Sequence, residues 1–225
     1  MRSLIAVSLV VFAVCVAAVK PWPPGQKPAF CNQQDCPVFE TIFKCSARNF
    51  TVRRYPAQQW VAINFTGAYA ADDYKYFGPI AFPYLFKYIT GANVAGAQIN
   101  MTDPVPIDIF SGLTPTCNST FRVSFFIPFG FQGIAPQPTD PQVYLRTSDE
   151  MIVVQRSFPG FADSWKTQVQ PQFQALATSL EGTGIQVENL VETVSEYDGP
   201  YQFFDRHNEA WFYVTNGNNA STWKC

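Results

Sequence analysis

From Val38 onward, apolar and polar residues alternate with a period of two, the pattern of strands that bury one face. Phe39–Cys45, Phe50–Tyr55 and Trp60–Phe65 read as three strands of an antiparallel meander. The pattern then changes period. Pro83 to Thr90 reads as a short helix, with Pro83 at its first position, Gly91 as its stop, and Leu85, Phe86 and Ile89 on one apolar face. Strands resume at Val105–Phe110, Phe121–Ile127 and Glu150–Phe158. Between them, residues 128–142 carry Pro128, Gly130, Gly133, Pro136, Pro138 and Pro141, a long loop that is either functional or mobile. A second helix covers Ala162 to Leu180, where Trp165, Val169, Phe173, Leu176 and Leu180 recur at helical spacing. Pro171 lies within it and predicts a kink or two shorter helices. The turn Tyr197-Asp198-Gly199-Pro200 leads to a last strand, Glu209–Val214. The order strands, helix, strands occurs twice, which argues for an α+β domain of two related halves.

The ends of the chain follow other rules. Arg2 precedes an apolar run from Leu4 to Val19, closed by small residues with Val16 and Ala18 at the −3 and −1 positions of a cut after Ala18. That is the anatomy of a secretory signal, so residues 1–18 are set apart from the fold and a secreted product is expected. The run is short for a bilayer span of about 20 residues, and prolines follow at once, so no membrane span is expected. Residues 19–35 form a Pro-rich leader, expected to be extended. The domain proper occupies residues 36–215, and residues 216–225 form a C-terminal tail.

Secretion changes how the cysteines are read. Cys15 leaves with the signal, and Cys31, Cys36, Cys45, Cys117 and Cys225 become disulfide candidates. Two bridges among five thiols allow fifteen arrangements, and spacing does not choose among them. At least one bridge is expected to use the Cys31, Cys36 and Cys45 cluster. Five N-x-S/T sequons stand at Asn49, Asn64, Asn100, Asn118 and Asn219. Asn118 and Asn219, in turn-like polar surroundings, are the first choices for a glycan, with Asn49 beside them; Asn64 and Asn100 sit in apolar strand-like runs and read as inaccessible. The net charge of −2 gives no electrostatic footprint for nucleic acid or an anionic membrane. Aromatic residues make up 16% of the chain, including 21 Phe, which calls for a large core or an aromatic-lined cavity.

Four groups of residues, in order, carry a family resemblance. They are Asp35-Cys36-Pro37 with Phe50–Tyr55; Leu85–Asn93 with Ile99–Val105; Val123–Pro128 with Pro138–Pro141 and Arg156–Phe158; and Tyr197–Pro200 with Arg206–Phe212. In this spacing the chain resembles the SOUL heme-binding protein family, its heme-binding protein 2-like branch above all, from about Cys36 to Val214. The resemblance implies a twisted antiparallel β-barrel-like sheet with two flanking helices. It also implies a shallow apolar cleft that takes up heme or another tetrapyrrole without covalent attachment. Three departures stand out. Gly78-Pro79 interrupts the approach to the first helix, Gln98 stands where relatives carry a lysine, and Phe131-Gln132 stands where many show a histidine before the glutamine.

Heme asks for apolar walls, cations for its propionates and an optional axial ligand. The resemblance carries Phe82, Leu85, Phe86 and Ile89 onto one wall and Tyr201, Phe203 and Phe204 onto the other, although a packed core uses the same residue types. Burying some 300 Å² of porphyrin against such walls yields roughly 8 kcal/mol before ordering costs, a weak affinity unless charge or an axial bond adds to it. Arg206 is a candidate for a propionate, and His207, the only histidine, for an axial bond. An enzyme is not expected, because no nucleophile elbow, P-loop or paired carboxylates accompany that histidine. The leading expectation is a secreted binder of a small hydrophobic ligand. The competing one is an extracellular matrix or interaction protein that keeps the fold and binds no ligand.

Overall fold

The computed structural model describes residues 19–67, 74–110 and 119–225. The expected signal peptide, Cys117 and Asn118 lie outside them. Among these described residues nine strands form one antiparallel sheet: β1 Glu40–Cys45, β2 Phe50–Tyr55, β3 Gln58–Gly67, β4 Val105–Phe110, β5 Ser119–Phe126, β6 Val143–Ser148, β7 Met151–Phe158, β8 Val187–Glu196 and β9 Asn208–Val214. Two helices accompany them, α1 Tyr74–Ile89 and α2 Gln170–Leu180. The spatial order is β1-β2-β7-β9-β8-β4-β5-β3-β6.

That order makes the repeat explicit. β2, β3, α1, β4 and β5 correspond in sequence to β6, β7, α2, β8 and β9. The two halves meet at the β4–β8 pair. Each half lends its first strand to the other, since β2 pairs with β7 and β6 pairs with β3. β1 is an addition on the outer side of β2.

Period-two alternation buries both faces. On β5, Phe121, Val123 and Phe125 join the main core with Leu85, Tyr88 and Ile89 of α1 and Phe173, Leu176 and Leu180 of α2. On β9, Ala210 and Phe212 face that core, whereas Trp211 joins Tyr55 and Val153 in a separate cluster on the other side. α1 packs on β3, β5 and β6, and α2 on β7 and β9. β6 and β8 are strands that periodicity did not mark. β8 hides Thr193 and Ser195, both fully buried, where an apolar residue would be expected.

The first helix corrects the sequence reading. α1 begins at Tyr74 rather than Pro83 and runs through Gly78, Pro79 and Pro83. An interior proline costs a helix about 3 kcal/mol. Burial of Ala81, Leu85, Tyr88 and Ile89 against the sheet offsets that cost. The second helix agrees better: a π-helical turn, Trp165–Val169, precedes α2, and Pro171 sits in its first turn.

Both chain ends are folded in. The leader is not extended; it turns through a short 3-10 helix, Ala29–Cys31, and closes with a Cys31–Cys36 disulfide. Trp22 donates from Nε1 to the Cys36 carbonyl and meets Phe39 edge-on at 4.9 Å. At the other end Trp223 is buried beside Phe43, and Cys225 bonds to Cys45, so the expected use of the cysteine cluster is met twice. Asn49, Asn64, Asn100 and Asn219 are all exposed. For Asn64 and Asn100 this corrects the expectation: their strand-like runs turn these side chains outward, and Tyr144 donates to Asn64 Oδ1 at 2.8 Å.

Candidate functional site

On α1 the four wall residues divide. Leu85 and Ile89 are core, packed beneath the helix, while Phe82 and Phe86 are 37% and 45% exposed. Phe82 and Phe86, one turn apart, stack at 5.6 Å, and Phe82 also meets Phe125 of β5 at 5.3 Å. Lys87 and Tyr84 lie on the other flank of the helix. There they line a separate open groove of about 360 Å³ with Tyr88, Pro138 and Asp140. The 128–142 loop bordering that groove is pinned: Tyr88 donates to the Pro136 carbonyl, and Gln132 bonds the backbone of Gln59 and Ile127.

The second wall is the turn between β8 and β9. Tyr201, Phe203 and Phe204 are 88%, 66% and 82% exposed. Three neighbouring large rings held in water need an explanation, because monomeric proteins keep contiguous apolar patches small. Phe203 leans on Phe161 of the connection into α2, at 6.2 Å. No ring contact among the described residues joins this group to Phe82 and Phe86. Register places the two groups at the same end of the sheet. Glu196, just before the turn, pairs with Val105 of β4. Val105 lies one strand from the Phe125 region of β5 on which Phe82 rests. Two strand spacings amount to about 10 Å.

Arg206 is buried and its guanidinium is occupied. It donates to the carbonyls of Asp198, Gly199, Gln202 and Gly160 at 2.6–3.2 Å and stacks on Phe161 at 4.4 Å. These bonds tie the two sides of the turn together. The sequence offers it as a free cation; only the fold supplies the carbonyls that absorb it. His207 is likewise engaged. Its Nε2 lies 2.8 Å from Glu209 Oε1, its ring stacks on Phe30 at 4.2 Å, and its N–H donates to Asp198 Oδ2 at 2.6 Å.

Glu209 is the hub of a buried polar cluster that sequence reasoning missed. It receives Arg53 at 3.0 Å, Trp211 Nε1 at 2.8 Å and the Tyr197 hydroxyl at 3.1 Å. Burial alone would push its carboxyl up, but Arg53, with help from His207 and Trp211, holds it below the usual range. Burial, with Glu209 adding to it, lifts the Tyr197 hydroxyl well above its ordinary value. Phe39 and Phe30 cover the Arg53 guanidinium at 4.1 and 5.4 Å. The period-two pattern placed Arg53 and Glu209 on strands and gave no sign that they meet across the sheet.

A family model described as "SOUL heme-binding protein" matches residues 34–213. The chain is 30% identical to Heme-binding protein 2 of Mus musculus and of Homo sapiens over 168 residues, 75% of this chain and 79% of each relative. It is 31% identical to Heme-binding protein 1 of Mus musculus over 58% of this chain and 68% of that one. Among solved structures, the C-terminal domain of EcmrR covers 73% of this chain and 96% of that one, with a TM-score of 0.54 at 13% identity. SAV2435 bound to tetraphenylphosphonium covers 74% and 94%, with a TM-score of 0.51 at 11% identity. Likeness at these identities concerns the fold alone.

Proposed function

Because the chain belongs to the SOUL heme-binding protein family, we propose that it is a secreted, non-covalent binder of a flat lipophilic ligand, heme or another tetrapyrrole. The observation that carries this reading is the set of exposed aromatic rings at one end of the sheet: Phe82 and Phe86 on α1, and Tyr201, Phe203 and Phe204 on the β8–β9 turn. Transport, scavenging or buffering are the roles such a binder would serve.

These rings would supply the apolar walls of a porphyrin site. The two polar residues that the sequence offers, Arg206 and His207, are engaged within the protein. To reach a propionate, Arg206 would have to release carbonyls that shape the turn; His207 has Nε2 on Glu209 and one ring face covered by Phe30, which leaves Nδ1 as its nitrogen for an iron. Ring contact is therefore proposed as the main source of affinity, with hemin and metal-free protoporphyrin bound alike. The test is titration of the secreted, deglycosylated protein with both ligands, following the Soret band and tryptophan quenching. Phe86→Asp should abolish binding, since a carboxylate would be desolvated against the ring. His207→Ala should change the two affinities equally; a loss confined to hemin would instead establish axial ligation. Failure of both ligands to bind at tens of micromolar would overturn the reading in favour of a matrix or interaction protein. Mass spectrometry of the secreted protein before deglycosylation should find a chain starting at Ala18 or Val19 with N-linked glycan.

A further inference from the structure

We propose that the disulfide-closed loop Cys31–Cys36 positions the aromatic turn, residues 198–206, for ligand capture, acting through Phe30 and Asn32; this rests on the reading of that turn as a ligand wall.

The turn has little packing of its own. Its three rings stand largely in water, and Asp205 holds a left-handed backbone at φ 53°. Its shape is therefore set at its base. The base is the backbone pair Tyr197–His207, where the Tyr197 N–H donates to the His207 carbonyl at 3.2 Å. Arg206 braces the turn from inside through its four carbonyl bonds.

The leader braces the same base from outside. The Phe30 ring lies parallel to the His207 imidazole within 3° and meets Tyr197 edge-on at 4.9 Å. Asn32 donates from Nδ2 to Asp198 Oδ1 at 3.3 Å, while the other oxygen of that carboxylate accepts the His207 N–H. Phe30, immediately before the loop, and Asn32, within it, thus touch both feet of the turn. The disulfide spans that loop, and Cys31 and Cys36 form a small buried cluster with Tyr197, apart from the main core. Asp35 fastens the far side of the loop: its carbonyl accepts from Asp103 N and its carboxylate from Phe129 N. Opening the bridge should release Phe30 and Asn32 and loosen the turn, leaving the sheet and the helices unchanged. The other disulfide provides the control, because Cys45 belongs to the main core.

The experiment uses the full secreted chain and three variants: C31S/C36S, N32A and C45S/C225S. Amide hydrogen exchange is read at residues 198–207 and in β5 and β9, and protoporphyrin affinity is measured by tryptophan quenching. In C31S/C36S, exchange across the turn should rise about tenfold or more through local opening that is insensitive to denaturant, while β5 and β9 rise only as far as global stability falls. Protoporphyrin binding should weaken about tenfold in C31S/C36S and roughly threefold in N32A, since ordering the turn would then come out of the binding energy. C45S/C225S should lower the Tm and leave the affinity of the folded protein unchanged. N32A keeps the bridge and sits at an exposed position, so it decides the matter alone if C31S/C36S is not secreted. Unchanged exchange at the turn, a rise there that carries the denaturant dependence of global unfolding, or an affinity equal to wild type would each overturn the proposal. A wild-type protein that binds no porphyrin, yet whose turn still loosens on opening the bridge, would sink the ligand reading and with it the capture role, while retaining the mechanical coupling.

Discussion

Replacing Asp103 with asparagine should make the protein more stable at pH 8 and scarcely alter it at pH 4. Asp103 precedes β4, is 5% exposed, and has an Oδ2 with no hydrogen-bond partner. Burial, then the Asp198 carboxylate, raise its carboxyl from 3.8 to about 7, with Lys27 opposing. The folded state therefore holds a proton on Asp103 that the unfolded chain has released. Its contribution is fully present below the unfolded value near 3.8 and is lost as pH rises through the folded value near 7. Each pKa unit corresponds to about 1.4 kcal/mol, so the window spans up to roughly 4 kcal/mol, and about 2 kcal/mol if the site relaxes on ionisation. Asparagine resembles the protonated carboxyl and cannot ionise. Glu209, held below its usual range, has the opposite sign and loses its contribution as pH falls; it is common to both proteins and cancels in the difference. The assay is urea unfolding followed by tryptophan fluorescence, with the disulfides intact, at intervals from pH 4 to 8. The variant-minus-wild-type stability should climb through the window and level off above pH 7. A flat difference, or one that falls with pH, would refute the argument.

Other perturbations test the rest of the frame. Arg53→Met leaves Glu209 fully buried without its cation and should cost about 3–5 kcal/mol at neutral pH, less in acid where the carboxyl can protonate; a loss under about 1 kcal/mol in denaturant unfolding would show that the pair is not needed. Removing the Cys45–Cys225 bridge frees a loop with a sequence separation of 180 and should cost about 5 kcal/mol by chain entropy. Removing Cys31–Cys36, with a separation of 5, should cost about 2 kcal/mol, and calorimetry that reverses this order would overturn the entropic account.

Much of the architecture was legible because it is written in local periodicity. Phe50–Tyr55 and Val105–Phe110 were readable to the residue, since each alternates large apolar side chains with others. The break before α2 was announced by Pro171, whose missing N–H acts on its own neighbours. The doubled order of elements foretold two halves. The family likeness, resting on four short motifs in register, supplied the sheet with flanking helices and the two candidate walls.

What stayed hidden depends on residues distant in the chain. β8 escaped because Thr193 and Ser195 are polar in sequence and buried only once β4 and β9 close over them. α1 runs through three proline or glycine breakers because a sheet lies beneath Ala81, Leu85 and Ile89, and local propensity cannot register that support. Fifteen cysteine pairings were equal in sequence; the fold that carries the tail to the end of β1 selected Cys45–Cys225. Arg206 and His207 have the chemistry of ligand-holding groups wherever they stand. Their partners lie in the turn's own carbonyls, at Glu209 and in a ring from the leader, and only tertiary structure turns a cation and an imidazole into the braces of an aromatic turn.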